Sequence, residues 1–165
     1  MAKSLKIIPE KCTGCVQCEL ACSWVQTGLF QPSRSVIRVN IFDEEASYAP
    51  FTCFQCAEAW CMQTCPVNAI AIDPVQGAKI VLEQACVGCH LCTIACPFGT
   101  VFTLPGTDKA SKCNLCGGQP ACATACPTGA IEWAETAAAG EWLKPWGEKV
   151  AHRFGEALAG ESHAR

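Results

Sequence analysis

The chain has 165 residues, a formal charge of −3 and only 16% charged side chains, well below the roughly 25% of an average soluble domain. A net acidic balance argues against nucleic acid as a partner, and the lack of any run of about 18 uninterrupted apolar residues argues against a membrane span. Half of the residues are apolar, but cysteine and alanine inflate that share, and sixteen residues are cysteine.

From the N-terminus, Lys6-Ile7-Ile8 predicts a short strand leading into a first cysteine quartet, Cys12, Cys15, Cys18 and Cys22. Residues 34–42 place Ile37, Val39 and Ile41 on one face and predict another strand. A second quartet follows, Cys53, Cys56, Cys61 and Cys65. Ala69–Ile72 and Lys79–Leu82 then flank the turn-rich Asp73-Pro74-Val75-Gln76-Gly77, a hairpin signal. The third quartet, Cys86, Cys89, Cys92 and Cys96, repeats the C-x2-C-x2-C-x3-C spacing of the first. Thr100–Leu104 and Lys109–Lys112 flank Pro105-Gly106-Thr107-Asp108 as a second hairpin, before a fourth quartet, Cys113, Cys116, Cys122 and Cys126. Three quartets end in Cys-Pro and a short strand pattern (Cys65-Pro66, Cys96-Pro97 and Cys126-Pro127), whereas the first ends Cys22-Ser23. Such repetition signals duplicated modules. Past Gly140, Trp142, Trp146, Val150, Phe154 and Leu158 recur every four residues and predict an amphipathic C-terminal helix.

The quartet spacing belongs to iron–sulfur chemistry. In two-cluster bacterial ferredoxins the run C-x2-C-x2-C-x3-C gives three thiolates to one 4Fe–4S cubane, and its fourth cysteine ligates the other cluster. The short loop can turn successive backbone N–H groups toward cluster sulfurs, and a proline after the fourth cysteine fixes the chain's exit. Sixteen thiolates at four per cubane give four clusters with none left over. A disulfide framework fits poorly, since no secretory leader pattern opens the chain. Structural zinc uses C-x2-C pairs separated by longer loops rather than a third cysteine two residues on. Oxidised cubanes at roughly −2 each would bring the loaded protein to about −11.

Ligand exchange then predicts an α+β fold of two nested bacterial-ferredoxin-like modules with short hairpins, filling residues 1–135. The inner module, 50–104, is inserted in an outer one made of 5–49 and 105–135, and residues 136–165 form the linker and amphipathic helix. The expected ligand sets are Cys53, Cys56, Cys61 and Cys96; Cys86, Cys89, Cys92 and Cys65; Cys12, Cys15, Cys18 and Cys126; and Cys113, Cys116, Cys122 and Cys22. Folding is expected to depend on metal, and the absence of a Sec or twin-arginine signal points to the cytoplasm.

Residues about 5–133 resemble the sixteen-cysteine iron–sulfur subunits of multisubunit oxidoreductases, the group serving molybdenum and tungsten enzymes, hydrogenases and carbon monoxide dehydrogenases. Glu10-Lys11-Cys12-Thr13-Gly14-Cys15, Cys18-Glu19-Leu20-Ala21-Cys22-Ser23, Phe30-Gln31-Pro32-Ser33-Arg34-Ser35-Val36-Ile37-Arg38-Val39 and Lys112-Cys113-Asn114-Leu115-Cys116-Gly117-Gly118 are similar to the polyferredoxin subunits of bacterial tungsten-dependent aldehyde oxidoreductases. The resemblance implies an electron-transfer subunit with no substrate site of its own. It would sit between a large catalytic, tungsten-pterin subunit and a flavin subunit or ferredoxin; the alternatives are the iron–sulfur subunit of a molybdenum, hydrogenase or carbon monoxide dehydrogenase complex, or a free soluble polyferredoxin. Of the remaining residues, His90 is expected in an exposed loop, and Trp24, Trp60, Phe98 and Phe102 as shields for the clusters. Lys112 is expected as a solvated lysine. The C-terminal helix can fold back on its own chain, dock on a partner or a second copy, or lie on a membrane surface.

Overall fold

The computed structural model describes residues 3–43, 46–104 and 106–135; the predicted helix at 136–165 lies outside them. Among the described residues are four two-stranded antiparallel sheets and four short α-helices, joined by loops and 3₁₀ turns. Strand β1, Lys3–Ile7, pairs with the last strand, β8, Ile131–Glu135, in the register Leu5 to Trp133 and Ile7 to Ile131. The two ends of the cysteine-bearing region are thereby tied together. Between them lie β2 (Arg38–Phe42) with β3 (Ser47–Phe51), β4 (Ile70–Ile72) with β5 (Lys79–Val81), and β6 (Phe102–Thr103) with β7 (Ala110–Ser111).

Both hairpins expected around Asp73–Gly77 and residues 105–108 form, the second shorter than its sequence suggests. The strand expected over 34–42 begins only at Arg38. Upstream, Pro32–Arg34 makes a 3₁₀ turn, and the buried Ser35 hydroxyl bonds both the N–H and the carbonyl of Ile37, diverting that backbone from a ladder. The alternation there does not mark a single buried face, for Ile37 is buried and Ile41 exposed. Its partner β3 is disguised by Pro50, which the register tolerates: Val39, opposite it, turns its own N–H away from the ladder to the buried Glu19 carboxylate at 2.6 Å.

The helices are α1 (Gln17–Thr27), α2 (Trp60–Gln63), α3 (Leu91–Ala95) and α4 (Ala121–Thr124). α1 packs on α4, and α2 on α3. α1, 11 residues long, ends where Gly28 takes φ 71° and its N–H closes on the Trp24 carbonyl, the usual left-handed stop. The core is built on thiols. Cys18, Cys22, Cys53, Cys113 and Cys122 are buried together with Leu5, Val36, Ile37, Leu115 and Ile131. Cys86 and Cys92 join Ala69, Ile70, Val101 and Ala110 in a second cluster. Among the described residues no helix is long and apolar enough to cross a membrane.

Candidate iron–sulfur site

Each quartet opens as a turn whose backbone is forced left-handed. Gly14 and Val16 in the first loop have φ of 70° and 62°, and Gly88 and His90 at the matching places of the third have 70° and 59°. The same conformation recurs at Gln55 in the second loop and at Leu115, Cys116 and Gly117 in the fourth. Alternation of this kind gathers successive N–H groups into an anion-binding concavity. Gly14 and Gly88 are needed for space as well: a Cβ on Gly14 would lie 2.7 Å from Tyr48 Cδ1, and one on Gly88 would collide with the Asp108 carbonyl oxygen. Val16 and His90 stand at the N-termini of α1 and α3, so the third cysteine of each loop, Cys18 or Cys92, enters the first turn of a helix.

The helices then carry cysteines across. α2 lies between Cys56 and Cys65 and packs on α3, which bears Cys92 and is followed by Cys96 at its C-cap. A cavity of about 260 Å³ is lined by Cys53, Cys56, Cys61 and Cys96. A smaller one is lined by Cys65, Cys86, Cys89 and Cys92. α1 packed on α4 brings the first and fourth quartets together in the same manner. Burial pushes the Cys12 thiol up, and the charges of Cys15 and Cys126 add to it. Burial with the neighbouring Glu19, Cys12 and Cys126 pushes Cys18 up to about 12. Cys113 is likewise pushed up to about 12 by burial, with Cys53 and Cys22 adding to it. Burial raises Cys122 too, helped by Cys113, Cys22, Cys116 and Cys18.

Two of the thiols behave oppositely. Burial acts to raise Cys96 and Cys126, but hydrogen bonds outweigh it and hold both below the ordinary thiol value. Those on Cys96 come from the Thr100 hydroxyl and the N–H groups of Thr100, Phe98 and Val101. Those on Cys126 come from the Thr128 hydroxyl and the N–H groups of Ile131, Thr128 and Ala130. At the equivalent Cys65, the Ala69 N–H approaches Sγ at 3.2 Å. The Cys-Pro turn thus folds the following backbone around the last sulfur of the quartet. Elsewhere the raised thiols would stay protonated without a cation to offset their charge, which ties ligation to metal.

Among the described residues no three His, Cys, Asp or Glu side chains converge tightly enough to grip a single ion. Zinc needs its sulfurs at about 2.3 Å from one centre, whereas Cys53, Cys56, Cys61 and Cys96 surround a space. Four thiols facing a cavity, with N–H groups turned toward sulfur, fit a 4Fe–4S cubane.

Several side chains differ from their sequence expectations. Lys112 is not solvated but 5% exposed, and its Nζ donates to the Lys79 carbonyl. Trp24 and Trp60 are half exposed, Trp24 stacking on Phe30 at 4.7 Å. The buried ring beside the second quartet is Phe54, on which Phe98 packs edge-on at 4.7 Å. Phe102 is half-buried and packs against the core, with the Arg38 guanidinium 5.5 Å over its ring. His90 is exposed as expected, its Nδ1 3.1 Å from the Thr103 hydroxyl. Two buried residues went unnoticed in the sequence. Glu19 holds the Val39 N–H and lies 3.9 Å from Arg38. Gln55 donates to the Cys113 carbonyl and accepts from the Lys79 N–H, both at 2.7 Å, joining the second quartet to the fourth.

Known proteins agree with this chemistry. Residues 44–136 match the family described as 4Fe-4S dicluster domain, and residues 9–28 match a 4Fe-4S binding domain. The chain is 41% identical over 122 residues to the polyferredoxin-like subunit of an aliphatic sulfonate oxidoreductase from Pyrococcus furiosus, covering 73% of this chain and 69% of that one. It is 30% identical to the thiosulfate reductase electron transfer subunit PhsB of Salmonella typhi, over 92% of this chain and 84% of the relative. In fold it is similar to a chain of the active site complex BamBC of benzoyl coenzyme A reductase, with a TM-score of 0.50 and 24% identity over 99% of this chain and 98% of the other.

Proposed function

We propose that this chain, which belongs to the 4Fe-4S dicluster domain family, is the electron-transfer subunit of an oxidoreductase complex and conducts through four 4Fe–4S clusters. The observation that carries the reading is the crossing of the quartets. The two thiol-lined cavities each take three cysteines from one quartet and the last from another, as Cys96 does beside Cys53, Cys56 and Cys61 and Cys65 does beside Cys86, Cys89 and Cys92.

The ligand sets on this reading are Cys53, Cys56, Cys61 and Cys96; Cys86, Cys89, Cys92 and Cys65; Cys12, Cys15, Cys18 and Cys126; and Cys113, Cys116, Cys122 and Cys22. The shared cavities support the first two, and the mutual thiol charges support the last two. When bound, a cubane supplies one-electron storage at a potential set by charge, hydrogen bonds and exposure. The cysteines' part is to hold the stations in line. Cys113 feels Cys53, and Cys122 feels Cys18, which favours a row running from the Cys89 set, through the Cys56 and Cys116 sets, to the Cys15 set. Cys89 and Cys15, at the two ends of that row, are exposed, so electrons would pass to and from partners there. The helix pairs support a nested division, with 50–104 as the inner module and 5–49 plus 105–135 as the outer one.

The catalytic partner we assign is a large tungsten-pterin subunit that oxidises an aldehyde, with a flavin subunit or ferredoxin on the other side, in the cytoplasm. That choice rests on the Glu10–Ser23, Phe30–Val39 and Lys112–Gly118 segments; the relative from P. furiosus, itself a polyferredoxin-like subunit of an oxidoreductase, is compatible with it. An anaerobic pull-down of the tagged chain from its host, with tungsten, molybdenum, nickel and iron quantified, tests the choice. Tungsten with a large subunit is expected. Molybdenum or nickel would move the chain to another complex, and iron alone on a monomer would make it a free carrier.

A further inference from the structure

Lysine is rarely buried without a partner for its charge, and Lys112 is an exception. Its Nζ donates to the Lys79 carbonyl, and among the described residues no carboxylate forms an ion pair with it. It lines the cavity of Cys53, Cys56, Cys61 and Cys96. Lys79, half-buried, lines the same cavity and donates from Nζ to the Gln55 carbonyl at 3.3 Å. The acidic residue on that cavity wall, Glu58, is exposed. At the far end of the row a buried acidic residue, Glu19, follows Cys18 in the chain instead.

Reduction adds one negative charge to a cluster, and a cation held nearby in a low-dielectric interior stabilises the reduced form. We propose that Lys112, seconded by Lys79, makes the position of Cys53, Cys56, Cys61 and Cys96 a high-potential station of the row, where electrons pause between its two ends. The two lysines act through the field at the site and touch no substrate. The proposal rests on the four-cluster reading.

The test is an EPR-monitored redox titration of the anaerobically purified holoprotein, wild type beside Lys112→Gln, Lys112→Arg and Lys79→Gln. The signal lost in Cys56→Ala identifies the centre concerned. In Lys112→Gln the equilibrium constant for reducing that centre should fall at least tenfold, which is about 59 mV for one electron. Lys79→Gln should lower the same midpoint by less, and Lys112→Arg should restore it. An iron-replete Lys112→Gln protein with an unmoved midpoint, or with all four midpoints moved alike, would overturn the proposal. If Lys112→Gln loses its iron, Lys79→Gln decides, and an unchanged midpoint there overturns it. A wild type without four reducible centres would instead overturn the cluster reading itself.

Discussion

At the scale of single residues, the protein depends on positions where backbone and charge are both constrained. Gly88→Ala places a side chain at φ 70° against the Asp108 carbonyl, a conformation that alone costs about 1–2 kcal/mol. The variant should fold less stably and retain fewer irons, read by a chelator-release time course against wild type. Cys113→Ser removes a buried thiol on which the Leu115 N–H closes at 3.4 Å. It should lose one cluster, taking iron from about sixteen to about twelve per chain. The cysteines themselves were legible because ligand spacing is a local property of the sequence. Lys112 and Glu19 were not, since a charged residue beside a cysteine reads as solvated until the fold buries it. Gln55 carried no signal of its own, its partners Cys113 and Lys79 being distant in sequence.

At the scale of elements, short pieces are held by staples between them. Gln55→Leu leaves the Cys113 carbonyl and the Lys79 N–H unpaired in the interior, at about 1–3 kcal/mol for each buried group. A lowered thermal midpoint with the clusters still bound is the expected outcome. Leu5, 2% exposed in β1, packs in the same core as Cys18, Cys22, Cys113 and Cys122. Leu5→Ala should cost about 2–5 kcal/mol and release iron first from the sites of the first and fourth quartets. Release from all sites together would contradict the nested division. Hairpins were readable where Gly, Pro and Asp mark the turn, as at Asp73–Gly77. β3 was hidden by its Pro50, and α1 by the habit of reading ligand cysteines as loop residues, although Gly28 marks its end. The pairing of β1 with β8 joins residues too far apart for any local pattern to announce.

At the scale of the whole molecule, thiols take places that aliphatic side chains fill elsewhere, so the core is completed by what the thiols hold. Stripping iron anaerobically should therefore unfold the chain, visible as loss of far-UV circular dichroism that returns on reconstitution with iron and sulfide. A four-station conductor makes a stoichiometric demand. Iron, acid-labile sulfide, zinc and electron uptake, measured on one anaerobic preparation, test it most directly. About sixteen irons, about sixteen sulfides and up to four electrons per chain are expected. Zinc in place of iron, or an iron-loaded chain that accepts no electrons, would contradict it.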